Sequence, residues 1–341
     1  MENLKPQVSV LLPVRQWHDN TLQAITSILQ QSLSSLELLI IGHQDVHRLS
    51  SRLPSDSRIK LVARDAPGIV GALNTGLAKA RGEYIARMDD DDIAYPTRLV
   101  RQLELLQHEV QLCATRVRFI DQNNSTEQIG EGNQRYENWL NTLTNDQEIR
   151  RACHIECPMP HPTWMAHRDI WQRIGPYRQA DGPEDYDWVL RAYLHNIRMG
   201  KPHEVLLDWR EHANRLTHKD PRYRREAFVQ CSARALVDPR SGSGLAEGRG
   251  VWLCGTGRHA RQWHDALESQ SVTVRGFVDI HRHGPERSKR GKSVISYQQL
   301  PGMRHDNLVI GALTQQSARN KLRQFFAACG WLADREYVIC G

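Results

Sequence analysis

Short apolar runs recur through the first ninety residues, each followed by a stretch with helical spacing. VSVLLPV (8–14) reads as a buried strand, rich in β-branched residues and with Pro13 near its end. In DNTLQAITSILQQ (19–31), Leu22, Ile25, Ile28 and Leu29 share one helical face, and Asp19 or Asn20 is placed to cap it. LELLII (36–41) and IKLVAR (59–64) predict a second and a third strand. GIVGALNTGLAKARG (68–82) predicts a helix stopped by Gly82, and EYIARMD (83–89) a fourth strand. The next helix, 96–109, has Pro96 in its first turn, where a missing N–H costs nothing. Alternating strands and helices predict an α/β fold, a mainly parallel sheet with helices on both faces. Ligands of such sheets sit outside the carboxyl ends of the strands.

The pattern is more mixed over 112–235. CATRVRFID (113–121) predicts a strand and YENWLNTLTNDQEIRRA (136–152) a helix. EDYDWVLRAYLHN (184–196) predicts a helix with Tyr186, Val189, Leu190, Tyr193 and Leu194 as its apolar face. DPRSGSGLAEGRG (238–250) has linker composition, which divides the chain into a domain over 1–237 and another over 251–341. In the second, VWLCGTGRHARQW (251–263) reads as strand, glycine turn and helix. VTVRGFVDI (272–280) and NLVIGAL (307–313) are strands, and QQSARNKLRQFFAAC (315–329) is a helix, making a small α/β unit.

A length of 341 residues suits two such domains. The net charge of +6 favours anionic partners such as a nucleotide diphosphate or an acidic membrane face, although the basic residues are scattered. Seven cysteines without framework spacing predict a reducing, cytoplasmic setting. MENLKPQ is no signal peptide, and no run nears the roughly 20 apolar residues of a membrane span, so membrane contact is expected to be peripheral at most. Basic RYRREAFVQCSARALV (222–237) is a candidate for such contact, but reads more simply as a surface helix. Aromatics do not interleave with basic residues, which argues against a nucleic-acid partner. Cys153, Cys157 and His161 lack a fourth clear zinc ligand and read as ordinary buried residues.

The concentrated chemistry is Asp89 to Asp92, at the carboxyl end of the fourth predicted strand. Clustered carboxylates are tolerated when solvated or when a divalent cation neutralises them, and oxygen ligands suit Mg²⁺ or Mn²⁺. The plainer reading is an acidic loop with Asp92 capping the next helix. The surroundings decide between the two. ALNTGL, ARGEYIARMD-x-DD, P-x-R-L-x-x-Q at 96–102, HPTWM (161–165), GPYR (175–178) and EDYDWVLR (184–191) together resemble the family 2 glycosyltransferases of GT-A fold, from residue 8 to about 217.

That resemblance implies roles. Asp89-Asp90-Asp91 occupies the family's D-x-D, with Asp91 on the metal that bridges the donor's phosphates, Asp89 near the ribose and the metal, and Asp90 at the variable middle position. Pro13, Val14, Arg15, Arg64, Asn74 and Arg87 would border the nucleotide. The family's Asp-Asp-Gly-Ser after the second strand is replaced by Gly42 and His43, with Asp45 following, so uridine is the expected base while guanosine and thymidine stay open. Glu184-Asp185 matches the pair that holds the catalytic base, here assigned to Asp185, with Glu184 positioning the loop. His161, Trp188 and Arg191 fall on the acceptor side, although Trp188 also suits a core, and His212, with His218 as a competitor, is a further metal or phosphate ligand. The implied activity is metal-dependent, inverting transfer from a nucleotide sugar, expected to be a UDP-sugar, to a glycan or lipid-linked acceptor in cell-surface polysaccharide synthesis. A non-catalytic nucleotide or glycan binder and a sugar-nucleotide nucleotidyltransferase are the alternatives.

In the tail, Gly255-Thr256-Gly257-Arg258-His259-Ala260 fits G-x-G-x-x-A after a strand, with Asp279 about 20 residues on. The unit resembles small Rossmann-like domains and is a candidate for NAD or another nucleotide, or a purely structural appendage.

Overall fold

The computed structural model describes residues 5–179, 182–213, 215–279, 287–304 and 306–341. The chain divides into two compact units, Met1–Ile149 with Pro158–Gln179 and Asn196–Lys219, and Arg150–Cys157 with Ala180–His195 and Asp220–Gly341.

In the first unit the early apolar runs become β1 (Val8–Pro13), β2 (Leu36–Gly42), β3 (Ile59–Ala63) and β4 (Tyr84–Arg87), all parallel, in the order β3-β2-β1-β4. Every residue of β1 and β2 is buried, as continuous apolar runs require in a sheet covered on both faces. Next in sequence are the short β5 (Ile93–Ala94), β6 (Leu112–Cys113) and β7 (Arg116–Ile120), then β8 (Met165–His167), β9 (Met199–Gly200) and β10 (Val205–Arg210). Antiparallel β8 links β4 to β6 and β9, completing seven strands, while β5, β10 and β7 form a separate three-stranded sheet.

Three local expectations are revised. His18, rather than Asp19 or Asn20, is the N-cap of helix Asp19–Leu29, in a capping box with Thr21. The strand expected over 113–121 is β6 and β7, split where the Thr115 N–H donates to Thr163 Oγ1 at 3.0 Å. The helix expected over 136–152 is two, Glu131–Thr142 and Asp146–Ala152, because Glu148 accepts from the main-chain N–H groups of Thr144 and Asn145 at the break.

The second unit is built on β11 (Gly250–Cys254), β12 (Val274–Asp279), β13 (Arg287–Lys289), β14 (Lys292–Ser296), β15 (Asn307–Ala312) and β16 (Tyr337–Cys340), ordered β13-β14-β12-β11-β15-β16. Apart from the antiparallel hairpin strand β13, the strands are parallel and follow the 3-2-1-4-5 order of a doubly wound sheet. Helix Arg225–Val237 packs between Glu184–Leu194 and Arg258–Glu268 and sends Val229, Ala233 and Leu236 into a core with Val251, Leu253 and Trp263. The boundary expected at 238–250 falls inside this unit. Leu245 is buried in the same core, and Ser243 Oγ donates to the Leu236 carbonyl at 2.5 Å, so the Gly/Ser-rich stretch is a packed turn. Among the described residues, no helix is long and apolar enough to cross a membrane.

Candidate active site

Parallel pairing of β1 with β2 on one side and β4 on the other makes the gap between β1 and β4 a point where the chain departs in opposite directions. Asp89–Asp92 follow β4 at that point. Asp89, Asp91 and Asp92 each bring a carboxylate oxygen within 4.8 Å of the others. Asp89 is paired with Arg87, Oδ1 to Nη2 at 2.5 Å. Asp91 Oδ2 lies 2.8 Å from His212 Nε2; burial drives its pKa up, but the His212 hydrogen bond and the charges of His212, Arg215 and His18 outweigh burial and leave it below the ordinary value. Asp92 is fully buried. One of its oxygens accepts the Arg210 N–H at 2.8 Å and Oδ2 has no partner, so burial, reinforced by Asp91 and Asp89, holds its pKa far above the usual range. Asp92 is therefore no helix cap; the next helix begins at Arg98 with Thr97 as N-cap. Asp90 turns to His18, 3.6 Å away, and burial pushes it up to about 6 against the pull of that histidine. Three converging carboxylates with an orphaned buried oxygen are a donor set that fits a hard divalent cation.

Two arginines hold this loop. Arg210, fully buried at the end of β10, donates to the carbonyls of Asp91 and Asp121 at 2.7 and 2.8 Å and to the side chains of Gln23 and Asn124 at 3.2 and 2.7 Å. Arg98, also fully buried, donates to the Arg87 carbonyl and to Gln102 Oε1, and Gln102 Nε2 donates to the Thr163 carbonyl at 2.7 Å. The P-x-R-L-x-x-Q signature is thus a brace for the end of β4. Arg98 was visible in that signature and Asp92 in the aspartate run, though not its burial; Arg210 and His18 carry no local signal, because their roles come from segments distant in sequence.

The remaining expected residues separate into those near the strand ends and those with other tasks. Pro13 closes β1, the Val14 N–H donates to the Ile41 carbonyl at 2.8 Å, and exposed Arg15 follows. The Arg64 N–H donates to the Gly42 carbonyl at 2.9 Å. Asp45 is exposed beside His43, 3.3 Å away. At Gly42 a Cβ would stand 2.8 Å from Val46 Cγ2, so the acid expected there has no room. Arg87 is buried, and among the described residues its Nε and Nη1, both closed off from solvent, have no partner. Asn74 is not left for a nucleotide: its amide exchanges two 2.9 Å bonds with the main chain of Tyr177.

The acceptor-side expectation changes more. His161 is buried, bonded to the Tyr177 hydroxyl at 2.9 Å, and burial, with the Arg87 charge, keeps it neutral. Trp188 is fully buried and has no face open to a sugar. Arg191 is buried and paired with Asp187 one turn earlier at 3.0 Å. His218 is taken by Glu211 at 2.7 Å, so of these two histidines it is His212 that reaches the aspartates, at Asp91.

Glu184 and Asp185 open a helix in the second unit. Glu184 is 3% exposed, and its two carboxylate oxygens lie 2.9 and 2.8 Å from the Tyr223 hydroxyl that donates to them. Asp185 is half-buried, with Oδ1 accepting the Tyr186 N–H at 2.7 Å. Glu184 is a strut; Asp185 is the more accessible acid.

A mainly parallel α/β sheet with acidic groups gathered at its switch point has its candidate site where such folds bind ligands. The family comparison is specific. The model described as "Glycosyl transferase family 2" matches residues 9–175. The O-antigen biosynthesis glycosyltransferase WbnJ of Escherichia coli is 30% identical over 239 residues, 67% of this chain and 87% of that protein. The bifunctional glycosyltransferase pgtA of Dictyostelium discoideum is 25% identical over 278 residues, 67% of this chain but 36% of that protein. The crystal structure of S. aureus TarS 1-349 in complex with UDP-GlcNAc matches with a TM-score of 0.49 and 13% identity, over 77% of this chain and 80% of that one. The chain belongs to glycosyltransferase family 2, has the GT-A fold, and is a glycosyltransferase.

Proposed function

We propose that this enzyme moves a sugar, with inversion, from a nucleoside-diphosphate sugar to a glycan or lipid-linked acceptor in cell-surface polysaccharide synthesis, on the cytoplasmic side of a membrane. The observation that carries the reading is the convergence of Asp89, Asp91 and Asp92 within 4.8 Å at the end of β4. Asp91 and Asp89 hold Mn²⁺ or Mg²⁺, with Asp92 and His212 as the neighbouring donors. A divalent cation supplies charge neutralisation for the departing diphosphate. Arg87 serves the nucleotide side through its pairing with Asp89. UDP is the expected nucleotide; the absence of an acid at Gly42 leaves the base to other groups.

Asp185 takes the proton from the acceptor hydroxyl as its oxygen bonds to the anomeric carbon. The bond from that carbon to the diphosphate oxygen breaks, and the nucleoside diphosphate leaves with the electron pair. The name of WbnJ, an O-antigen enzyme, supports a bacterial polysaccharide setting.

The test is release of nucleoside diphosphate from UDP-, GDP- and dTDP-sugars with Mn²⁺, with EDTA, and in Asp91→Asn. Turnover of one donor that EDTA abolishes and Asp91→Asn lowers at least about 10²-fold is expected. Equal turnover in EDTA removes the cation from the mechanism, and pyrophosphate in place of nucleoside diphosphate makes the protein a nucleotidyltransferase.

A further inference from the structure

In the second unit, Gly255, Gly257 and Asp279 line one cavity of about 690 Å³. The first unit carries a feature that reaches its own candidate site, the bonding of Arg210 at the end of β10. A guanidinium has five N–H donors and no acceptor. Arg210 uses all five. Nε donates to the Asp91 carbonyl at 2.7 Å, Nη1 to the carbonyls of Asp121 and Gln122 at 2.8 and 3.2 Å, and Nη2 to Gln23 Oε1 and Asn124 Oδ1 at 3.2 and 2.7 Å. Every one of these acceptors is neutral. A fully buried arginine is ordinarily paired with a carboxylate, because an uncompensated buried charge is costly. Here Asp91 and Asp92 lead the carboxylates that offset the charge, and they act on the guanidinium through space. The side chain therefore takes no carboxylate oxygen from the acidic cluster, while the main-chain N–H of the same residue holds Asp92 Oδ1 at 2.8 Å.

The acceptors that anchor Arg210 are themselves fastened. Three of the five come from the turn after β7, where Asp121 Oδ1 accepts the N–H groups of Asn123 and Ser125 at 2.8 Å each. Asn124 stands in that turn at φ +63°, and Asn20 Nδ2 ties Gln122 Oε1 to the first helix at 3.2 Å. Gln23, from the same helix, supplies a fourth acceptor, and the Asp91 carbonyl is the fifth. Arg210 thus links a turn and a helix, each anchored on its own, to the main chain of one aspartate. Groups that orient metal ligands from behind change metal affinity by roughly 10–100-fold when removed.

We propose that Arg210 is a positioning residue for the divalent-cation site, and that Gln23 and Asn124, which make no hydrogen bond to the aspartates, raise cation affinity through it. This rests on the reading that Asp89 and Asp91 hold Mn²⁺ or Mg²⁺. Charge alone predicts the opposite sign. A guanidinium close to the cluster repels a cation, so its removal would tighten binding if charge were its only contribution. Loss of positioning loosens binding instead.

Titration of the full chain with Mn²⁺ alone, followed by the electron paramagnetic resonance of the free ion, separates the two, with Asp91→Asn as the control for the site. Arg210→Gln is expected to bind Mn²⁺ about tenfold more weakly than the parent, or worse. Arg210→Lys keeps the charge without the fork and recovers little of that loss. The double variant Gln23→Ala, Asn124→Gly keeps the guanidinium and removes both acceptors of Nη2. Both positions are exposed, alanine suits the helix, and glycine suits φ +63°. It is expected to lose affinity about threefold or more, the worth of one hydrogen bond, with unchanged thermal melting in EDTA. Should Arg210→Gln fail to fold, the double variant decides. Parental affinity in the folded variants, or tighter binding in Arg210→Gln, overturns the proposal and leaves the cation reading standing. No Mn²⁺ binding by the parent, or equal binding in Asp91→Asn, overturns the cation reading and this proposal with it.

Discussion

The two acids that open helix Glu184–Leu194 differ in what holds them, and substitution separates their roles. Asp185→Asn is expected to lower kcat about 10²-fold or more with donor affinity unchanged. Glu184→Gln, which weakens the buried bond from Tyr223, costs about 1–3 kcal/mol of stability and leaves kcat of the folded fraction within a few-fold. If Glu184→Gln loses turnover as completely as Asp185→Asn, the base has been misassigned. His154 provides a pH test. It is 3% exposed, bonded to Ser232 Oγ at 2.7 Å, and burial, with Arg150 adding to it, lowers its pKa to about 4. The unfolded chain, with an ordinary histidine pKa of about 6.5, binds the proton more readily. The contribution of His154 is therefore complete above about pH 6.5 and is lost as pH falls toward 4, at up to about 1.4 kcal/mol per pH unit. Urea unfolding across that range should show a shallower slope for His154→Gln than for the parent; identical slopes would contradict the assignment. Asp89 and Asp91 were legible in the sequence because four charges in a row contrast with an apolar strand. The burial of Asp92 was not, because it comes from β10, 118 positions further along.

Long periodic elements read well and short ones poorly. β1, β2 and helix Asp19–Leu29 show their period locally. β10 does not: VLLDWR has no clean alternation, and its position is fixed by β7 on one side and β5 on the other. At the end of β2, a missing acid is explained by a neighbouring element. The turn after β2 leads into the 3₁₀ segment Val46–Arg52, whose first residue occupies the space of a side chain at 42. Gly42→Asp is expected to cost about 1–3 kcal/mol through overpacking. Val46→Ala in the same chain should return most of that loss, as chemical denaturation would record. A full-cost double variant would mean that Val46 is not the obstacle.

For the whole molecule, composition located a Gly/Ser-rich turn correctly but not a domain edge. Such composition reports backbone freedom, whereas a domain edge depends on what packs across it. Residues 238–250 connect helix Arg225–Val237 to the sheet that buries it, so the second unit gathers pieces from before and after that stretch. A chain ending at residue 237 would leave Val229, Ala233 and Leu236 without the core they share with Val251 and Leu253. It is expected to be recovered mainly as aggregate, while the full chain elutes as a defined species in size-exclusion chromatography. A monodisperse, cooperatively melting 1–237 fragment would show that the helix needs no partner sheet. Both sheets begin with the same 3-2-1-4 order, a likeness visible in the sequence only as recurring strand–helix pairs.

The reach of Arg210 also bears on synthesis. The strands β1 to β4 are complete once residue 87 has been translated, but the guanidinium that grips the Asp91 carbonyl arrives 119 residues after it. At roughly 5–20 residues per second, this is a delay of about 6–24 s. During that interval a nascent chain holds a hydrophobic sheet with an unfastened acidic loop. The ribosome-bound intermediate then has its acidic loop unfastened, and that loop is gripped no earlier than the translation of β10.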